Sequence, residues 1–375
     1  MNRGDASPHT PDSEYLIRAD WVFDGTRILD HYAVTVNGDR IGAVAPQHQL
    51  ERHERTIDIA GTLLPGFIDL HTHVLLDQTP HEKLLRHGIT TVRDTGSPLA
   101  RLRNGNAEGR LRVVGAGPIL TAPGGYPIPV FGRDVALEVA DVEAAQAAVQ
   151  RLADHGVAFI KIALEPGGSP GAPWSAHETT ARPPWPMLSA SVVEAIVAEA
   201  HAHNLTVAAH LSGPQGAELA LDAHVDEWAH VPCDPLPDDL IARAASAGVK
   251  VVGTLDTESR TAGVFQNAVR MAEAGIRLLY GTDLAHPDVP WGIDAFELQL
   301  MLHTARGALT PADVLSAATA RAGEHLGLSP LSQLVAGAPA DLIAVKGNAL
   351  ERFKLLEYPD LVVSGGVVIA EPEHS

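Results

Sequence analysis

Histidines 71 and 73 close the stretch Leu64-Pro65-Gly66-Phe67-Ile68-Asp69-Leu70-His71-Thr72-His73, and their spacing is the first sign of chemistry in the chain. Alternate side chains of a β-strand share a face, so both imidazoles point the same way and can present two nitrogens to one ion. Taken alone, two strand-end histidines facing solvent would give the same pattern. The apolar run before them, the Pro-Gly pair and Asp69 instead describe a buried parallel strand whose carboxyl end opens into a site.

Further polar residues fall where other apolar runs stop. Lys161 lies within 159–162, His210 ends 206–210, His230 ends 227–230 and Asp283 ends 277–283. Each has a plainer explanation, because a strand-end histidine can cap a loop and the Asp of Gly-Thr-Asp can cap a turn. Their recurrence at successive strand ends favours a metal site built from His71, His73, Lys161, His210, His230 and Asp283.

The elements that must position these residues follow from periodicity. From Gly66 to about Leu328, apolar strands alternate with amphipathic, alanine-rich helices at 142–155, 191–203, 216–224 and 237–247. With the first strand, those at 90–94, 112–116, 159–162, 206–210, 227–230, 250–254 and 277–283 give about eight, the number that closes a (β/α)₈ barrel. A doubly wound open sheet is the rival. Thr310-Pro311-Ala312-Asp313 reads as a helix start. Short strands near 15–23, 33–44 and 56–59, and again at 340–345 and 359–369, are too few at either end to bury a core alone. They predict a small β-sandwich, residues 14–65 with 329–375, into which the barrel, 66–328, is inserted.

Composition narrows the chemistry. The 375 residues are 45% hydrophobic and 19% charged, the balance of a folded globular protein, and no apolar run reaches the ~18 residues of a membrane span. Residues 1–13 are polar and expected to be disordered; without a signal-like apolar core they point to the cytoplasm. Cys233 is the one cysteine, so a zinc site must use histidine and carboxylate. A net charge of -19 argues against nucleic acid and for a small-molecule substrate, leaving a homo-oligomer open.

These residues carry a resemblance. From Gly61 to His73, and again from Gly337-Ala338-Pro339-Ala340-Asp341-Leu342-Ile343-Ala344-Val345 to the Val-Val-Ser-Gly-Gly strand, the chain resembles the amidohydrolase superfamily of metal-dependent hydrolases. Gly88-Ile89-Thr90-Thr91-Val92-Arg93-Asp94-Thr95-Gly96 and Phe159-Ile160-Lys161-Ile162 are similar to its prolidase and imidazolonepropionase-like branch. The resemblance implies that Lys161 is carboxylated by CO₂ and bridges two divalent metals, zinc by expectation. His71, His73 and Asp283 would hold one ion and His210 and His230 the other. A metal-bridging hydroxide would attack an amide or peptide bond of a small substrate, a dipeptide or N-acyl amino acid, with Asp283 managing the proton. The alternative for Lys161 is a buried ion-paired lysine beside a single metal.

At Gly124-Gly125-Tyr126 the branch's usual histidine is a tyrosine, so Tyr126 either polarises the substrate carbonyl or packs. His177 and His286 lie in loops near the site, and Arg182 is the one basic loop residue that stands out. His201, His203, His224 and His303 fall in helices and read as bystanders. Ester or lactone hydrolysis and ring deamination would use the same metals. A non-enzymatic binding barrel would be expected to lack some of the six ligands.

Overall fold

The computed structural model describes residues 14–77, 79–102, 109–284 and 291–371; the expectation for residues 1–13 lies outside them. Strands Tyr15–Phe23, Ile28–Asp30, Tyr32–Asn37, Arg40–Pro46 and Thr56–Pro65 come from the first part of the chain. Gly38, at φ +58°, turns the hairpin between the third and fourth, a conformation that needs no Cβ. Leu342–Lys346, Leu361–Ser364 and Val367–Ala370 join these five in one eight-stranded sheet. The join is antiparallel pairing of Thr56–Pro65 with Leu342–Lys346, tied by the Thr62 hydroxyl donating to the Gly347 carbonyl at 2.8 Å. Ile17, Val34, Ile57, Leu342 and Val363 pack into its own buried core. The two ends therefore build one β domain, and its strands share a single ladder.

The apolar run 64–73 is divided between two sheets. Thr56–Pro65 ends in the β domain, and Phe67–Thr72 starts a parallel set beyond Gly66. A Cβ on Gly66 would fall 2.9 Å from Thr90 Cβ, so the junction needs glycine to let the neighbouring strand approach. Phe67–Thr72, Ile89–Asp94 and Arg112–Gly115 form a three-stranded parallel sheet. Ile119–Thr121, Ala136–Glu138, Ile160–Leu164, Val207–Leu211, Glu227–Trp228 and Lys250–Val251 belong to a six-stranded one. The Ala158 amide donates to the Gly115 carbonyl at 3.0 Å, linking the two.

Residues 277–283, expected to be a strand, form isolated bridges instead, at Val252↔Leu279 and, one residue beyond the segment, Thr72↔Leu284. Thr254 and Asp283 adopt left-handed backbone, φ +50° and +58°, which a continuous ladder does not accommodate. The segment still lies between the two sheets. Gly253 N donates to Leu279 O at 2.8 Å on one side, and Asp283 N donates to His71 O at 2.8 Å on the other.

Helices Val142–Asp154, Ala190–Ala202, Pro214–Asp222 and Asp238–Ala247 fall where periodicity placed them. In Val142–Asp154 the buried side chains Ala145, Ala148, Val149 and Leu152 recur at helical spacing, and the Asp141 side chain caps the start by accepting from Ala144 N. Thr310 and Asp313 form a reciprocal capping box. Among the described residues, no helix is long and apolar enough to cross a membrane.

Candidate metal centre

His71 is nearly sealed from solvent, and its Nδ1 lies 2.6 Å from the Ala229 carbonyl. A carbonyl only accepts, so Nδ1 carries the proton and Nε2 keeps its lone pair. His73 repeats the arrangement, donating from Nδ1 to the Gly96 carbonyl at 3.2 Å. Both Nε2 atoms turn to one oxygen, Asp283 Oδ1, at 3.5 Å and 3.3 Å. Two imidazole nitrogens and a carboxylate oxygen that converge in this way call for a shared cation, either a proton on His73, where Asp283 outweighs burial and raises the imidazole, or a metal ion. These three residues form a compact cluster of potential metal ligands.

Asp69 holds the strands in place. Its carboxylate accepts from the backbone amide of His71 at 3.0 Å, from that of Thr282 at 3.1 Å and from the Thr282 hydroxyl at 2.6 Å. It thereby ties the first parallel strand to the segment carrying Asp283. Burial disfavours the Asp283 charge, yet the imidazoles of His71, His73 and His230 outweigh it and hold the carboxyl well below its usual range.

Lys161 is 1% exposed, and its Nζ has no hydrogen-bond partner among the described residues. A buried ammonium without acceptors is costly, and burial accordingly lowers the amine to about 7. His210 Nδ1 and His230 Nε2 lie 2.8 Å apart, at hydrogen-bond distance, so one carries the proton and the other accepts. Burial depresses both imidazoles, His230 to about 4, so they are neutral near neutral pH and could serve as ligands. The donor set of imidazole nitrogens, carboxylate and one unsatisfied amine fits borderline divalent metals.

His71, His73, Lys161, His210 and Asp283 line one cavity of about 400 Å³, together with Tyr126 and His177. The Tyr126 ring stacks on the His210 ring, centroids 4.2 Å apart and 13° from parallel. Arg182 is exposed and does not line the cavity; His286 lies outside the described residues. His201 pairs with Asp226 and His203 with Glu199, away from the cavity, while burial pushes the Cys233 thiol far up and leaves it unreactive.

Three neighbours escaped the sequence reading. Glu165 Oε2 lies 3.7 Å from His210 Nε2, on the side of the ring away from His230. Trp174 stands edge-on to His210 at 4.8 Å, and Phe131 meets the His177 ring at 5.2 Å. Glu165 directly follows the strand bearing Lys161, so the strand-end rule that singled out the ligands could have found it. Trp174 lies in the long irregular segment 167–186, whose Gly, Pro and Trp content and length point to a functional loop, although nothing in the order of residues sets its ring against His210.

The amidohydrolase family model matches residues 62–369, and a NagA composite domain matches residues 17–64. The chain is 27% identical to ochratoxinase of Aspergillus niger over 320 residues, 77% of this chain and 63% of that one, so it spans less than two thirds of that relative. The crystal structure of A. niger ochratoxinase superposes with a TM-score of 0.77 at 21% identity, covering 97% of each chain. That of a Xaa-Pro dipeptidase with methionine in its active site gives 0.75 at 22% identity, covering 95% of this chain and 99% of that one.

Proposed function

The chain belongs to the amidohydrolase family, and from that premise we propose that it is a metal-dependent hydrolase cleaving an amide or peptide bond of a small substrate. The two parallel sheets, bridged through residues 279–284, are then one closed (β/α)₈ barrel over residues 66–328. Residues 14–65 and 329–375 make the accompanying β domain, in which one continuous sheet would have to fold over its own core to give the sandwich layers. The observation that carries the reading is the convergence of two imidazole nitrogens on Asp283 in the cavity that also holds the Lys161 amine, which has no hydrogen-bond partner among the described residues.

His71, His73 and Asp283 would hold one divalent ion and His210 and His230 a second, zinc being the expected metal. Much of a buried amine titrating at about 7 is uncharged near neutral pH. That form would add CO₂, giving a carbamate and releasing one proton, so that Lys161 would hold metal as an anionic oxygen ligand. When bound, the ions lower the pKa of water and polarise the scissile carbonyl. Asp283 accepts the proton of the attacking water and delivers it to the leaving nitrogen. The Tyr126 phenol, pushed up by burial, stays protonated and donates to the carbonyl oxygen as charge develops. Glu165 Oε2, 3.7 Å from His210 Nε2, lies on the side of the ring away from His230, which would leave Nδ1 for a metal.

Dipeptides and N-acyl amino acids set the size of substrate to begin with, and lactones test the ester-hydrolase alternative. Metal-loaded protein assayed on such a panel should cleave amides in preference to lactones, with about two ions per chain. Turnover of lactones alone would replace the amide reading with the ester one, and metal-free protein that fails to take up ions would remove both.

A further inference from the structure

The cavity wall over the metal ligands is apolar and aromatic. Ile119, Tyr126, Phe131, Val135, Pro173 and Trp174 make most of it, and Tyr126 lies within 6.3 Å of Phe131 and 5.8 Å of Trp174, centroid to centroid. Among the described lining residues, Lys161 is the one amine or guanidinium. Two arginines adjoining lining residues, Arg101 beside Leu76 and Arg133 after Phe131, are engaged elsewhere. Arg101 donates to the carbonyls of Leu75 and Leu76 at 3.1 Å and 2.6 Å, and Arg133 is paired with Glu138.

A substrate carboxylate entering this space would be desolvated without a guanidinium or ammonium to receive it, which is costly for an anion. The chain as a whole also carries a net charge of -19. Flat rings, by contrast, find faces and edges at stacking distance.

We propose that the cleft selects substrates with an uncharged aromatic group flanking the scissile bond and discriminates against a free carboxylate. This rests on the hydrolase reading and narrows it: within the size range of dipeptides and N-acyl amino acids, the fitting members are those whose carboxylate is capped. Phe131, 42% exposed at the cavity, is a specificity-determining position.

The test uses a pair that is isosteric except for charge, N-benzoylphenylalanine and its carboxamide, with benzoate release followed on metal-loaded protein. The carboxamide should have a kcat/KM at least tenfold higher. In F131R, which sets a guanidinium at the cavity, that ratio should fall at least tenfold. Equal or better turnover of the acid by the unmodified protein overturns the proposal, whatever the variant does. Binding of the same pair, read from tryptophan fluorescence, separates this failure from failure of the hydrolase reading. If neither compound is cleaved but the carboxamide binds at least tenfold tighter, selectivity stands and hydrolysis falls. Equal or tighter binding of the acid, or binding of neither, overturns the selectivity itself.

Discussion

Lys161 is the side chain on which a two-metal site turns. K161A removes the one ligand that both ions would share, so bound metal should fall from about two ions towards one or none, with most activity lost. Short carboxylic acids should restore part of the activity by occupying the vacated bridge. Metal analysis by mass spectrometry decides the matter: an unchanged content near one ion, with only a loss of stability, would identify Lys161 as an ordinary buried lysine beside a single metal. Tyr126 separates in the same way into packing and chemistry. Y126F keeps the ring stacked on His210 and deletes only the donor, so kcat should fall by about 10²–10³ with metal content unchanged. Activity within twofold of the parent would reduce Tyr126 to a wall.

At the scale of the element, the site depends on how closely the segment bearing Asp283 approaches the strand bearing His71. A Cβ on Gly281 would collide with Val252 Cγ1 and fall 3.0 Å from the His71 backbone nitrogen. G281A should therefore push His71 away from Asp283 and lower both metal occupancy and the urea unfolding midpoint; an unchanged metal content would show that the approach is slack. This geometry also explains what could be read in advance. The candidate cluster of His71, His73 and Asp283 was legible because alternation along a strand fixes which side chains share a face, and because parallel strands end on a common side. The division of residues 64–73 between two sheets was not legible, since Pro65-Gly66 reads as part of an unbroken apolar run. The irregularity of 277–283 also escaped, because left-handed backbone at Thr254 and Asp283 leaves no mark on hydrophobic pattern. Trp174 and Phe131 reach the site through loop folding and contacts across distant parts of the chain, which periodicity does not record, whereas Glu165, one residue past the strand bearing Lys161, was within reach of the strand-end rule.

Between the parallel strands lies an ion network that bears on the stability of the whole molecule. Arg93 makes a two-pronged contact with Glu227, His325 Nε2 lies 2.6 Å from Glu227 Oε2, and Arg93 Nε donates to Leu70 O at 2.7 Å. Burial opposes the Glu227 charge, but Arg93 and then His325 outweigh it and hold the carboxyl far below its ordinary 4.5. A depressed acid stabilises the fold above its unfolded pKa, so that contribution is whole at neutral pH and is lost as pH falls below about 4.5. Urea midpoints measured from pH 7 to pH 3 should show this decline, and R93M should flatten it. R93M should also cost about 3–5 kcal/mol at pH 7, because it strips a buried carboxylate of its main partner. A loss under about 1 kcal/mol would mean that His325 suffices.

The ladder that unites the two ends of the chain has a consequence for the order in which the protein is made. Thr62 and its partner Gly347 are separated by 285 positions, which a ribosome adding about 5–20 residues per second covers in roughly 15–60 s. Through that interval the Thr56–Pro65 strand has emerged while one of its edges has nothing to pair with. The whole parallel region can be synthesised before the missing strand Leu342–Lys346 arrives. A nascent chain halted short of Leu342 would thus carry an open strand edge, the kind of surface on which a second incomplete copy can pair and begin to aggregate.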